Sequence, residues 1–375
     1  MEMAVSSAGL EDFGDAGFVK PLEKYLAAAG RYFPFSESQA EKFAAGIVND
    51  LINRLRMNAD LKRHPEILDE DVSDPIVITG LPRTGTTKLQ RVLSADPANQ
   101  ALHYWKVINF ARFSGEVRGE PAARIAVAKA ACDQMATDNP EFMTGHPFLH
   151  DQAEEECLIL GANFDHGQNS GFIRDESYGT YIQSLPRKSS YCYLHTVLQY
   201  LQWQQGGKRG PWILKTPQHL GYLREVLATF PCATIVQGHR DSVTAFGSLC
   251  HLSVDLVQPA MLAKRDRQDS GRDLFRFWGE AWDRNEAERE ILPQDLRFID
   301  VEYEEIRDDA ISVAKRIYAV AGRSLSEEGR VAIEKWEIEN KKDRFGRHEY
   351  QLEDYGLNAA QVEKRFRLRT QMRRG

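Results

Sequence analysis

Several things are missing from this 375-residue chain. No stretch approaches the run of about 18 apolar residues that a membrane-spanning helix needs. Cysteine is scarce: Cys132, Cys157, Cys192, Cys232 and Cys250 are five, an odd number, widely scattered and without a C-x-x-C pair. That pattern supports neither a disulfide framework nor a zinc site and fits reduced thiols. Positive charge is in deficit, with 48 lysines and arginines against 55 acids and a net charge of −7. A general nucleic-acid binder would carry the opposite balance. Met1 to Lys20 is acidic and has no basic segment leading into an apolar run, so it does not read as a secretory leader. There is no internal repeat and no low-complexity tract. The expectation is a cytoplasmic protein without a transmembrane segment, and a hydrophobic content of 42% allows a substantial core.

One further absence is local. Ile76-Val77-Ile78-Thr79-Gly80-Leu81-Pro82-Arg83-Thr84-Gly85-Thr86-Thr87 reads as a buried strand, a turn with two glycines and the start of a helix. Such a turn points free helix N–H groups and a partial positive charge above the sheet, which attracts phosphate. Gly80 and Gly85 are spaced as in G-x-x-x-x-G-K-[ST], but Thr86 stands where that motif has lysine, and the cation sits earlier, at Arg83. A triphosphatase needs that lysine on the β- and γ-phosphates. A cradle without it suits a nucleotide carrying something else.

Around this loop the chain divides into a helical N-terminal extension, residues 1–72, and an α/β domain, residues 73–375, with a mostly helical insertion at about 100–205. In the extension Leu22, Tyr25, Leu26 and Ala29 recur at helical spacing, as do Phe43, Ile47, Leu51 and Leu55. Arg54, Arg56, Lys62, Arg63 and His64 read as a solvated helix face. The insertion is rich in aromatics (Tyr104, Trp105, Phe110, Phe148, Phe164, Tyr178, Tyr191 and Tyr193 among them), which serve either an apolar acceptor pocket or an ordinary helical core. Beyond Gly206–Gly210 come a strand at Trp212–Leu214, a helix from Leu220 to Phe230, a strand at Thr234–Val236 and a helix capped by Asp241-Ser242. Residues 253–295 read as helical, Leu296–Tyr303 as a strand, and about Asp309 to Ala321 as a helix. Alternation of this kind predicts parallel strands with ligands bound beyond their carboxyl ends, where Arg83, Thr86, Lys215 and Arg240 fall.

Several separate motifs, in order over about residues 75–360, resemble the sulfotransferases that use 3′-phosphoadenosine 5′-phosphosulfate (PAPS), especially their bacterial-type branch. Leu81-Pro82-Arg83-Thr84-Gly85-Thr86-Thr87 is similar to the family's 5′-phosphosulfate loop. Arg240 and Ser248 match an arginine-then-serine motif for the 3′-phosphate, and Leu214-Lys215-Thr216-Pro217 is similar to the lysine-bearing turn ahead of it. Arg344-Phe345-Gly346-Arg347-His348 resembles a run typical of the branch near its C-terminus. The resemblance implies a P-loop-like three-layer α/β fold with a central, mainly parallel sheet flanked by helices. It also implies sulfuryl transfer from PAPS, with adenosine 3′,5′-bisphosphate (PAP) leaving.

The cofactor site implied is Pro82, Arg83, Thr84, Gly85, Thr86 and Thr87 at one phosphate and Arg240, Ser248 and Arg347 at the other. Two anionic ends require two donor clusters, and arginine grips phosphate bidentately. Lys215 and Arg83 are the candidates to stabilise charge on the leaving oxygen. The histidine that follows this lysine by two positions in the cytosolic branch is replaced by Pro217. The proton-acceptor candidates are therefore Glu155, Glu154 and His219, with His146 and His150 competing; Glu154 and Glu155 resemble a Glu-Glu element of the bacterial-type branch. The acceptor is a small molecule, lipid or carbohydrate. No metal is expected, since protein cations can neutralise the leaving phosphate. A kinase using ATP and Mg²⁺, with Asp300 or Glu302 holding the metal, is the enzyme alternative. A nucleotide-binding protein without catalysis is the other.

Overall fold

The computed structural model describes residues 1–32, 37–167, 169, 173, 175–258, 266–340 and 351–374. They form two compact units. The α/β unit is Ser73–Ala101, Ala136–Pro147 and Arg209–Gly375; the helical unit is Met1–Val72, Leu102–Met135 and Phe148–Lys208.

The α/β unit is built on β1 (Ile76–Gly80), β2 (Gln100–Ala101), β3 (Trp212–Lys215), β4 (Thr234–His239) and β5 (Phe298–Glu302). Their order is β2-β3-β1-β4-β5 and every pairing is parallel. Strands of such a sheet are covered on both faces, which is why β1 opens on the apolar run Ile76-Val77-Ile78 and is buried throughout. On one face Ile76, Ile78 and Val236 pack with Leu89 and Val92 of the helix Thr86–Ala95 and with Ile317 of the helix Ala310–Val320. At roughly 1.5–3 kcal/mol for each fully buried large side chain, this cluster pins the helix that follows the loop. The next residue of β4, Gln237, points to the other face, where its Oε1 accepts from Arg289 Nη1 at 3.0 Å on the helix Arg267–Ile291. Helices on both faces make the three layers.

Element limits shift where capping overrides periodicity. The helix expected from Leu220 to Phe230 begins instead as a 3-10 turn, Pro217–His219, whose Gln218 N–H donates to Thr216 Oγ1; the helix proper is Leu223–Thr229. Among residues 253–295, a π-helical turn covers His251–Val257 and the long helix starts at Arg267, with Asp266 as its cap.

In the helical unit, Leu51 and Leu55 of the helix Glu37–Arg63 pack with Phe18, Leu22 and Phe164. Arg54 departs from the solvated face assigned to it. It is buried, its guanidinium 4.2 Å from the Phe18 ring centre and 4.4 Å from that of Tyr193. Cation–π contacts with rings from distant segments hold it there, and helical spacing cannot register them. Phe110, Phe164, Tyr178, Tyr191 and Tyr193 of the aromatic-rich insertion are core residues of this unit. No helix among the described residues is long and apolar enough to cross a membrane.

At the carboxyl end of the central strands, Gly80 of β1 sits opposite Gly238 of β4. A Cβ on Gly80, whose φ is +136°, would lie 2.5 Å from the Gly238 carbonyl oxygen. Both strain and overlap then penalise Gly80→Ala, by roughly 2–5 kcal/mol in urea unfolding. Gly46, inside the helix Glu37–Arg63 with open space around it, gives the opposite sign: Gly46→Ala gains about 0.5–1 kcal/mol.

Candidate active site

Beyond Gly80 the chain folds into the space that the glycine pair leaves open. Thr84 Oγ1 donates to the Leu81 carbonyl at 2.7 Å and closes the turn. Arg83 adopts φ +72°, a strained conformation for a residue with a side chain. Gly85, at φ +84°, is the cap of the helix Thr86–Ala95 and has no side chain to offer its first-turn N–H groups. Those groups therefore remain available to an anion. The helix Ser242–Cys250 differs: Asp241 caps it, accepting from Thr244 N at 2.8 Å.

Three cations from three strand ends meet the loop. Arg83 belongs to it, and its Nε donates to Ser248 Oγ at 3.0 Å. Arg240, just after β4, donates from Nη1 to the Arg83 carbonyl at 3.0 Å. Lys215 ends β3, is 1% exposed, and donates from Nζ to Thr87 Oγ1 at 3.0 Å. The sequence treats Arg83 and the Arg240–Ser248 pair as separate clusters; the structure joins them, because Arg83 contacts one with its side chain and the other with its carbonyl. Thr84 and Thr86 are buried, while Pro82 and Thr87 are half-buried. Arg347 lies outside the described residues.

Tyr303 is a member of this site that sequence reasoning missed. The Arg240 guanidinium lies 4.1 Å from its ring centre, and its Cδ2 would lie 2.9 Å from a Cβ on Gly85. The ring thus fills the space between the loop and Arg240. Its one sequence signal is position, at the carboxyl end of β5, where parallel sheets gather their ligands.

The proton-acceptor candidates divide between the units. In the α/β unit His219 ends the 3-10 turn and is 1% exposed. His146 stands between Gly145, whose carbonyl accepts from Arg83 Nη1 at 3.5 Å, and Pro147, whose carbonyl accepts from Arg91 Nη2 at 3.1 Å. In the helical unit Glu154 is buried and its Oε1 accepts from the Glu155 N–H at 3.0 Å, while Glu155 is half-buried and accepts from Cys157 Sγ at 3.6 Å. His150 is half-buried beside Asp151. His103 joins this group through a bridge to Ala153. Burial first, and Lys106 second, push its imidazole down to about 4, so it is neutral at pH 7. Nothing local in the sequence reveals it, because the pairing is made across fifty residues.

The acids that a kinase would require are committed elsewhere. Asp300 is fully buried, and Arg289 donates to its two oxygens at 2.7 and 2.9 Å. His239 Nε2 lies 2.5 Å from Oδ1, and the Arg373 N–H donates to Oδ2 at 2.7 Å. Glu302 caps the helix Tyr303–Asp308 in a reciprocal capping box with Glu305. Among the described residues no three His, Cys, Asp or Glu side chains are grouped to hold a metal ion.

A parallel sheet with an uncapped phosphate-type loop and cations from neighbouring strand ends suits the binding of an anionic ligand. The sulfotransferase family profile matches residues 75–327, and the chain belongs to the sulfotransferase family. It is similar to the crystal structure of sulfotransferase STF1 from Mycobacterium tuberculosis H37Rv, with a TM-score of 0.83 at 28% identity over 98% of this chain and 97% of that one. It is similar also to sulfotransferase STF9 from Mycobacterium avium, with a TM-score of 0.84 at 26% identity over 97% of this chain and 93% of that one. No curated protein matches it significantly.

Burial alone would raise the Asp300 carboxyl, but the hydrogen bonds and charges of His239 and Arg289 outweigh it and hold the group at about 2. A depressed carboxyl stabilises the fold above its unfolded value of about 4, and that contribution is lost as pH falls through about 2. Asp300→Asn should therefore cost about 3–5 kcal/mol at pH 7 in denaturant unfolding. The gap to wild type should narrow between about pH 4 and pH 2; a gap independent of pH contradicts this assignment.

Proposed function

We propose that the chain moves the sulfuryl group of PAPS to a hydroxyl or amine of a small-molecule, lipid or carbohydrate acceptor by in-line displacement, releasing PAP. The observation that carries this reading is the buried Lys215 Nζ 3.0 Å from Thr87 Oγ1. The neighbouring strand thereby supplies a cation to a loop that has Thr86 in the lysine position. Arg83, Lys215 and Arg240 with the first-turn N–H groups suit a donor with two phosphate ends. When bound, PAPS would supply the sulfuryl group and a phosphate leaving group. Arg83, Lys215 and the loop N–H groups would stabilise the charge that develops on the departing oxygen. Arg240 and Ser248, with Arg347, would hold the 3′-phosphate. No metal is part of this reading, because three side-chain cations already balance the phosphate charge.

Glu155 is the first candidate to take the acceptor's proton, ahead of Glu154 and His219. Turnover of Glu155→Gln and His219→Ala tests the choice: retention of full activity by both moves the role to His146 or His150.

PAP at about 100 times its Kd should add about 2.7 kcal/mol of stability without Mg²⁺, read as a thermal shift. Arg83→Ala and Arg240→Ala should each remove that shift, while ATP with Mg²⁺ should do little to the wild type. Stabilisation by ATP and Mg²⁺ but not by PAP would favour the kinase reading. PAP stabilisation with no transfer to any of a panel of phenols, sterols, sugars and lipids would favour a silent binder.

A further inference from the structure

We infer that the C-terminal segment 369–373, acting through Asp300 and His239, positions Arg240 for the nucleotide, so that the tail is part of the donor site. The inference rests on the PAPS reading above. The segment lies outside the matched residues 75–327.

One chain of contacts links the tail to Arg240. His239 is the last residue of β4 and directly precedes Arg240. Its side chain is only 10% exposed and its Nε2 meets Asp300 Oδ1 at 2.5 Å. The same carboxylate receives the Arg373 N–H, and the Asp300 N–H donates to the Arg373 carbonyl at 2.6 Å. Residue 373 thus meets Asp300 of β5 with both its backbone groups, its carbonyl on the strand's N–H and its N–H on the side-chain carboxylate. Upstream, the buried Glu286 accepts the N–H groups of Arg369 at 2.6 Å and Thr370 at 3.0 Å. Arg289 ties both ends together: its Nε donates to Thr370 Oγ1 at 2.8 Å while its fork holds Asp300.

Two fully buried carboxylates therefore grip the tail mainly by its backbone. Burying acids is costly unless every oxygen is satisfied, and here the tail supplies part of that satisfaction. On its outer side Arg240 is held by the Tyr303 ring and the Arg83 carbonyl. His239–Asp300 is the anchor on its inner side. Without the tail, Asp300 loses a donor and the exposed edge of β5 admits water. The hydrogen bond from His239 then competes with solvent, and the backbone carrying Arg240 is less fixed. His239 and the tail are positioning elements; they touch neither phosphate.

The test compares affinity for PAP with affinity for adenosine 5′-monophosphate, which lacks the 3′-phosphate, by calorimetry. Variants are His239→Ala, His239→Gln and a chain ending at Leu368, each checked for folding by near-UV circular dichroism. His239→Ala and the truncation should reduce the preference for PAP by about tenfold, the order of one charge-assisted hydrogen bond. His239→Gln, whose amide N–H can still reach Asp300, should restore most of it. A folded His239→Ala that keeps the full preference overturns the inference, even if the truncated chain fails to fold. Loss of melting temperature without loss of preference also overturns it, because that is the mark of a purely structural role. A wild type with no preference for PAP sinks the donor reading itself, which is a different result.

Discussion

The site depends on how closely β1 and β4 approach at their carboxyl ends. Gly80 and Gly238 are opposite one another, and the space between them has no room for a methyl group. That closeness lets the chain turn immediately and bring the start of the helix Thr86–Ala95 over the edge of the sheet. Thr84 Oγ1 lies 3.2 Å from the Cβ positions of both glycines, so the turn is built on the same contact. Hydrophobic packing of Leu89, Val92 and Leu93 beneath it supplies the free energy that keeps Arg83 in a strained conformation.

Electrostatics then follows from topology. In a parallel sheet all carboxyl ends lie on one side, so side chains far apart in sequence converge there. Lys215 leaves β3, Arg240 follows β4 and Tyr303 follows β5. Lys215 is the most constrained of these, since a buried ammonium needs an acceptor and has Thr87 Oγ1. A loop without the usual lysine thus receives its cation from the adjoining strand, and Asp300 of β5 is tied to Arg289, His239 and the tail. The family's transfer of a sulfuryl group suits such a site. Charge on the leaving phosphate can be met by side chains fixed in advance, with little reorganisation during reaction.

Much of this was legible in the sequence. The loop is a local pattern whose strand, turn and helix fall within a dozen residues, and the places of Lys215 and Arg240 at strand ends follow from the alternation of strands and helices. What was hidden depends on contacts between distant segments. Tyr303 carries no motif, and its role comes from lying between Gly85 and Arg240. His103 enters the acidic group through a bridge to Ala153, and Arg54 is buried by rings at positions 18 and 193. The C-terminal run of arginines is simply basic by composition, yet much of its hold on the fold comes through backbone groups, which composition does not report.

Under the proposed function, Lys215 stands in for the loop lysine in holding the sulfated end of PAPS. Equilibrium dialysis with ³⁵S-labelled PAPS in the absence of divalent metal tests it directly, comparing wild type with Lys215→Met. The account predicts one bound donor per wild-type chain and about a hundredfold weaker binding by the variant, the order expected when a buried charge-assisted contact is lost. Equal binding by the two proteins, or wild-type binding that appears only with Mg²⁺, would contradict it.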